Sequence, residues 1–343
     1  MFSPRADTHF TFIDLFAGIG GFRLAMETVG GRCVFSSEWD NDARRTYYHN
    51  FGDLPHGDIT KETTKASIPK HFDVLCAGFP CQAFSVAGYQ RGFDDTRGTL
   101  FFDVAEIAKV HKPKVLLLEN VKNLQSHDKG RTFDIIRRTL NELGYTVYSK
   151  VLNAMEYANV PQNRERIFIV AIDPSQLPNH ADFAFPDKIE LVSTIHDCID
   201  EGTATDNLYY TAERMKHYEV LKDDITSRNT LYQWRRKYVR ENKKNVCPTL
   251  TANMGTGGHN VPLMLTDKGI RKLSPKECLN FQGFPHEFQF PNDLSMAAKY
   301  KQAGNSVVVP LVTRICQSIA SLLKETSSRS GGRTASTSKC LRL

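Results

Sequence analysis

Phe10-Thr-Phe-Ile-Asp-Leu-Phe16-Ala-Gly18-Ile-Gly20-Gly21-Phe22 is the stretch on which the fold turns. An apolar run with strand character gives way to a glycine-rich turn, and Phe22–Thr28 then carries the amphipathic spacing of a helix. Strand, glycine turn and helix in that order form the first unit of a doubly wound α/β fold. The alternation continues outward from it. Arg32–Ser37 reads as a strand and Asp40–Asn50 as a helix. Phe72–Ala77 is a strand, Phe101–Val110 a helix, Val115–Leu118 a strand and Phe133–Leu143 a helix. Tyr145–Leu152 and Arg166–Ile172 look like a closing pair of strands. The rhythm predicts a mostly parallel sheet with helices on both faces.

Past Pro174 the periodicity dissolves. Residues 190–299 read as a smaller, irregular, loop-rich domain. Ala303–Val309 returns to strand-like character and Leu311–Lys324 reads as an amphipathic helix, so the chain is expected to re-enter the large domain there. The expected organisation is a catalytic and cofactor-binding domain over 1–189, completed by 300–325, with a second domain and hinge over 190–299. The Ser-, Gly-, Thr- and Arg-rich tail, 326–343, is expected to be disordered.

At 343 residues the chain is long enough to bury a full core, and 41% hydrophobic with 24% charged residues is an ordinary globular balance. No uninterrupted apolar run reaches the length of a membrane span, and the N-terminus lacks a charged-then-apolar signal pattern, so residence in the cytoplasm is the expectation. Eight scattered cysteines without CxxC spacing signal neither a disulfide framework nor a zinc site. The net charge of +6 is modest. Trp234-Arg-Arg-Lys-Tyr-Val-Arg240 with Lys243-Lys244 is basic and aromatic. Read alone it is a solvated helix face, and it gains meaning only if the rest of the chain calls for a polyanion.

The glycine turn offers close backbone approach and a helix N-terminus to a ligand through Gly18, Gly20 and Gly21. A dinucleotide fingerprint needs a glycine where this chain has Arg23, and a phosphate-cradling loop needs a lysine, so NAD, FAD and a P-loop are disfavoured. Glu38 ends the second strand, 20 residues beyond Gly18, where an acid accepts hydrogen bonds from ribose hydroxyls. Trp39 is placed to stack on an adenine, Asp58 to meet its amino group and Ile59 to cover its face. The ordered set points to an adenosine cofactor without pyrophosphate, and S-adenosyl-L-methionine fits best.

Pro80-Cys81-Gln82 follows the apolar run Phe72–Phe79, and Glu119-Asn120-Val121 ends the next strand. Parallel strands bring their carboxyl ends to one edge, so a thiol and a carboxyl group would face one pocket. The pairing suggests covalent catalysis with acid assistance. Outside this context Cys81 would read as a buried thiol like Cys76, and Glu119 as a surface carboxylate. A cysteine hydrolase is disfavoured because no histidine occupies a matching strand end.

With these residues in hand, the chain resembles the bacterial DNA (cytosine-5) methyltransferases of type II restriction–modification systems. The likeness runs in order through Phe16–Gly21, Gly78–Ser85, Glu119–Val121, Gln162–Arg166, Arg271–Pro285 and Gln302–Val307. It implies a Rossmann-like S-adenosylmethionine-dependent methyltransferase sheet with a smaller, irregular target-recognition domain. It assigns Cys81 the attack on cytosine C6, Glu119 the hydrogen bond or proton at N3, and Arg166 the base's O2 and the orientation of Glu119. Arg164 would position backbone or phosphate. Phe16 and Pro80, with Asn305, Ser306 and Val307, would complete the cofactor pocket.

The implied partner is double-stranded DNA from which the target base is flipped, since a thiol on a protein surface cannot reach a stacked cytosine. Gln82 and Ser85 are expected to contact DNA, and Arg91 and Arg97 belong to the glycine-rich, charged stretch 86–99, a loop expected to close over it. In the variable region Arg235, Arg236 and Arg240 would meet phosphates or guanine edges, with nothing to separate the two. Thr249 and Leu250 match a Thr-Leu pair recurrent in such regions. Thr251, Gly257 and Gly258 follow on a stretch permitting close approach to DNA. No metal, no membrane and a monomer are expected, with a restriction endonuclease as a functional partner that need not touch the chain. The region 190–299 speaks against a tRNA-directed relative, and intact Cys81, Glu119 and Arg166 speak against a non-catalytic DNA-binding protein.

Overall fold

The computed structural model describes Phe2 and residues 8–80, 100–235, 237–255 and 261–331, with backbone alone at 255 and 326–331. The strands of the large sheet are β1 (Phe10–Leu15), β2 (Gly31–Ser37), β3 (Val74–Ala77), β4 (Val115–Val121) and β5 (Thr146–Asn153). The two-residue β6 (Gln162–Asn163) precedes the last strand of that sheet, β7 (Glu165–Ile172). Their order is β2-β1-β3-β4-β7-β5. Pairing is parallel from β2 to β4, and β7 alone runs against its neighbours.

Side chains alternate across this sheet as the pleat requires. Val74, Cys76, Val115, Leu117, Phe168 and Val170 pack on one face with Phe22, Leu311, Ile315 and Ile319 of the Gly21–Thr28 and Val309–Gly331 helices. Leu75, Ala77, Leu116, Leu118, Ile167 and Ile169 pack on the other with Phe101, Val104, Ile136 and Leu140 of the Leu100–His111 and Arg131–Glu142 helices. With helices on both faces, β3 and β4 have no solvent side and read as continuous apolar runs. Each such side chain contributes about 1.5–3 kcal/mol.

The later part of the chain builds a second sheet from β8 (Tyr232–Trp234), β9 (Val239–Glu241), β11 (Pro262–Thr266) and β12 (Gly269–Lys272). Between them β10 (Cys247–Pro248) pairs with β6. This sheet has a small core of its own, Leu221, Ile225, Tyr232, Leu263 and Ile270. It is fastened by an ion pair with no solvent access at all. Arg271 Nη1 and Nη2 donate to Glu277 Oε2 and Oε1, both at 2.8 Å, and both side chains are 0% exposed. Glu277 also closes a capping box with Ser274 at the start of the Pro275–Asn280 helix and accepts the Asp200 N–H.

Several expectations are corrected. The basic stretch 234–240 is a β-hairpin, not a helix face: Gln233 pairs with Arg240 and Trp234 with Val239. Its cations mask a strand alternation in which Tyr232 is buried and Trp234 stacks on His217. Ala303–Val309 is not a strand. A helix, Met296–Asn305, runs through Ala303, and the next begins at Val309. The carbonyls that a strand partner would take are taken by side chains: Gln282 Nε2 reaches Ala303 O, and Arg164 Nη2 reaches Gly304 O and Ser306 O. β4 continues through Val121 rather than stopping at Leu118, because its ladder with β7 extends to the Val121–Arg166 pair. The last helix runs to Gly331, past the expected start of the tail at 326.

Met296–Glu325 is the one helical span among the described residues long and apolar enough to cross a membrane by length and composition. Its apolar window is 61% buried inside the fold, it is interrupted at Ser306, and its leucines and isoleucines belong to the main core. It is a pair of core helices. Removing one partner of the Arg271–Glu277 pair would strand a buried charge. Glu277→Ala is expected to cost about 3–5 kcal/mol in chemical denaturation, whereas Lys268→Ala on the exposed turn should stay within about 0.5 kcal/mol.

Candidate active site

Parallel register sets the site. Leu15 pairs with Ala77 and Ala77 with Leu118, so Phe16, Gly78 and Glu119 come out of the sheet side by side. A cavity of about 650 Å³ opens at this edge, in the size range of small-ligand sites. Of the expected cofactor residues it is lined by Phe16, Gly18, Gly21, Glu38, Trp39, Asp58, Ile59, Pro80, Asn305, Ser306 and Val307, and Glu119, Arg164 and Arg166 border the same space.

Gly20 is the exception among the cofactor residues and is corrected. It does not line the cavity. It has φ +91, and a Cβ there would lie 2.3 Å from the Phe51 ring, so tight packing under the turn explains it. Gly18, at φ +55, faces open space and gives its N–H to Glu38 Oε2 at 2.8 Å. Arg23 fills the place of a third glycine. It is 3% exposed, bonded to Glu27, paired with Asp53 at 2.7 Å and laid over the Phe51 ring.

Glu38 is buried, and Asp40 N–H donates to its other oxygen at 2.8 Å. Burial pushes its carboxyl pKa up, and the hydrogen bonds from Asp40 and Gly18 pull back. Trp39 stands 73% exposed at the rim, a free aromatic face next to a buried acid. Ser37 and Gln302 line the cavity, and their buried Oγ and Nε2 atoms have no hydrogen-bond partner among the described residues. Unsatisfied buried polar atoms at a cavity wall call for a polar ligand. An acid, an aromatic face and these two groups fit an adenosine with its ribose and amino-acid tail. Lys301, which the sequence reading missed, closes the rim through an ion pair with Asp40.

At the far side, Arg166 Nε meets Glu119 Oε1 at 3.0 Å, both side chains being mostly buried. A Cβ on Gly78 would lie 3.7 Å from Glu119 Oε2, so the residue three before Cys81 adjoins the carboxylate. Asn120, 2% exposed, donates to the Phe79 carbonyl at 2.8 Å and accepts the Val121 N–H. It ties the end of β4 to the backbone leading into Pro80, a role visible only in three dimensions.

Arg164 is 2% exposed and spends its guanidinium on the carbonyls of Leu250, Gly304 and Ser306. Burial, and then the Arg166 cation, push its pKa down to about 9, still protonated at neutral pH. It holds backbone rather than a reacting atom.

Of the expected DNA residues, Arg235 and Arg240 are exposed on the hairpin and make no ion pair among the described residues. Thr249 and Thr251 are half-buried, with hydroxyls bonded to Asn163 O and Asn253 Oδ1. Leu250 is corrected. Its side chain is 0% exposed within the core beneath the second sheet, so it anchors the segment and offers no side chain to DNA. Cys81, Gln82, Ser85, Arg91, Arg97, Arg236, Gly257 and Gly258 lie outside the described residues.

Fold and cavity together define a Rossmann-like S-adenosylmethionine-dependent methyltransferase. The family model described as C-5 cytosine-specific DNA methylase matches residues 10–321, and the chain belongs to that family. It is a DNA cytosine-5 methyltransferase that uses S-adenosyl-L-methionine as methyl donor. It is 49% identical over 308 residues to the type II methyltransferase M.Bsp6I of Bacillus sp. (strain RFL6), covering 89% of this chain and 96% of that one. To the type II methyltransferase M.HpaII of Haemophilus parainfluenzae it is 45% identical over 331 residues, covering 90% and 89%. The Entamoeba histolytica methyltransferase EhMeth shares the fold with a TM-score of 0.67 at 16% identity, over 93% of this chain and 98% of that one.

Losing a hydrogen bond to a charged group costs about 1.5–3 kcal/mol, so Glu38→Gln is expected to weaken cofactor binding by about tenfold or more. The sign with pH follows from the raised pKa. As pH falls through it, Glu38 protonates and loses acceptors, so wild-type cofactor affinity should decline on acidification earlier than for an exposed glutamate. Titration calorimetry on acidification from neutral pH should show this acid limb in the wild type and not in the variant.

Proposed function

We propose that the protein methylates C5 of a cytosine flipped out of a specific short sequence in duplex DNA, through a covalent bond between Cys81 and C6. The observation that carries this reading is the meeting of Gly78, Glu119 and Arg166 at the edge of the cofactor cavity. Cys81 lies three residues beyond Gly78.

Cytosine C5 is too weak a nucleophile to take a methyl group unaided. In the proposed sequence the Cys81 thiolate forms a bond to C6, and the displaced ring electrons move toward N3. Glu119, as a carboxylic acid, donates its proton there, so the ring gains no net charge and C5 becomes enamine-like. The bound cofactor supplies an electrophilic methyl group on a sulfonium. Once C5 is methylated, a base removes the C5 proton, the Cys81–C6 bond breaks to release the thiolate, N3 returns its proton to Glu119 and aromaticity is restored. Arg166 fixes the Glu119 carboxyl on one side and, in this reading, donates to O2. Asn120 holds the backbone entering Pro80.

The base must leave the stack to reach this edge, and the glycine-rich stretch 86–99 is suited to closing over it and excluding water. Residues 190–299 form the recognition domain in this reading, with the exposed cations of the β8–β9 hairpin toward DNA. In a bacterial cytoplasm such marking would shield host DNA from a restriction endonuclease. That pairing needs a shared sequence and no physical contact, and one chain carries every group named, so a monomer suffices.

Cys81→Ser is expected to lose methyl transfer to plasmid DNA while still retarding that DNA in a gel; near-normal turnover would sink the covalent mechanism. Glu119→Gln removes the proton donor and should cost about 10²–10⁴ in kcat with cofactor affinity little changed. Plasmid recovered from cells expressing the wild type should resist one endonuclease of a panel, and cleavage by every one would overturn the protection role.

A further inference from the structure

Three carbonyls from two distant stretches of chain converge on one buried guanidinium. Arg164 Nη1 donates to Leu250 O at 2.7 Å, and Nη2 to Gly304 O at 3.0 Å and Ser306 O at 2.7 Å. Leu250 sits between Thr249 and Thr251 of the recognition segment, whereas Gly304 and Ser306 line the cofactor cavity. Two amides run beside it. Gln162 donates to Phe281 O and accepts the Leu250 N–H, and Gln282 donates to Ala303 O at 2.7 Å. Gly304 lies so close to Thr251 that a Cβ would stand 2.2 Å from its carbonyl.

We propose that Arg164 is a positioning residue that couples the two ligands, so that DNA bound to the domain that segment 249–251 fastens in place tightens the cofactor pocket at 304–306, and the cofactor tightens DNA in return. The proposal deepens the functional reading above and rests on it. The physical reason is the planar fork. Arg164 satisfies all three acceptors only while Leu250 keeps one place relative to Gly304 and Ser306, and a shift of about 1 Å takes a hydrogen bond out of range. A ligand that fixes one stretch therefore lowers the cost of ordering the other, and linkage makes the effect reciprocal. No carboxylate pairs with Arg164 among the described residues, so its charge depends on these carbonyls. A lysine would keep the charge and lose the fork.

The test compares wild type with Arg164→Lys and with Gln282→Met, which acts through the neighbouring amide. S-adenosylhomocysteine is titrated with and without fragmented unmethylated plasmid DNA. DNA should tighten its binding by about fivefold or more in the wild type and by less than about twofold in the variants. Because the coupling is the ratio of affinities with and without DNA, any change in affinity without DNA cancels from it. Hydrogen exchange supplies a readout that a merely loosened fold would not give: DNA alone should protect amides 303–308 in the wild type and not in the variants. Wild-type coupling in a folded variant, or none in the wild type, overturns the proposal. Should neither variant fold, unchanged exchange at 303–308 on adding DNA to the wild type overturns it, and protection there supports it. Methyl incorporation by the wild type is followed on the same DNA. Its absence would defeat the functional reading, whereas incorporation without coupling would defeat only the coupling.

Discussion

The parallel pairing of β1, β3 and β4 is the constraint from which the site descends. Parallel neighbours cannot be joined by tight turns, so the chain crosses over through helices and every strand ends on the same edge. That places Phe16, Gly78 and Glu119 in a row without any of them having to be aimed. The reversed strand β7 completes the arrangement from the opposite direction. Because it runs against β4, its first residues, not its last, arrive at the working edge, and Arg166 stands across from Val121. A strand in the common orientation would have carried Arg166 to the far side of the sheet. One antiparallel insertion thus supplies the cation that an all-parallel edge lacks.

Three buried arginines show how the same residue serves different ends. Arg23 sits on Glu27 and Asp53 beneath the glycine turn, and Arg271 on Glu277 under the second sheet. In both, a carboxylate nearby in sequence or space neutralises the charge within one local unit. Arg164 has only carbonyls, and those come from segments 86, 140 and 142 residues away. Its bonds hold long-range geometry rather than local charge. The apolar layers keep the sheet folded, and this polar junction decides how the cofactor wall meets the recognition segment.

The large sheet was legible because burial on both faces leaves an unmistakable imprint, runs such as Val115–Leu118 bounded by Lys114 and Glu119. The strand ends followed from it, and so did most of the cofactor wall. What stayed hidden depended on partners far off in sequence. Asn120 has no role of its own legible within the Glu119–Val121 block, and its bond to the Phe79 carbonyl supplies one. Gly20 looked like a ligand glycine, yet Phe51, 31 residues on, is what excludes a side chain there. Val307-Val-Val309 has the composition of a strand. It becomes a bend into a helix because Arg164 and Gln282 take the carbonyls around it.

Leu250 changes where an address for DNA can reside. Its buried side chain and two backbone bonds to Gln162 and Arg164 make it a fastening point, and the hydroxyls of Thr249 and Thr251 are already engaged. In the proposed reading that leaves the choice of sequence to the β8–β9 hairpin, where, among the described residues, Arg235, Lys237, Tyr238 and Arg240 are exposed. The hairpin belongs to a sheet with its own core. Its strands can change without disturbing those that present Glu119, so the second sheet and the site edge are physically separable except where Arg164 joins their segments.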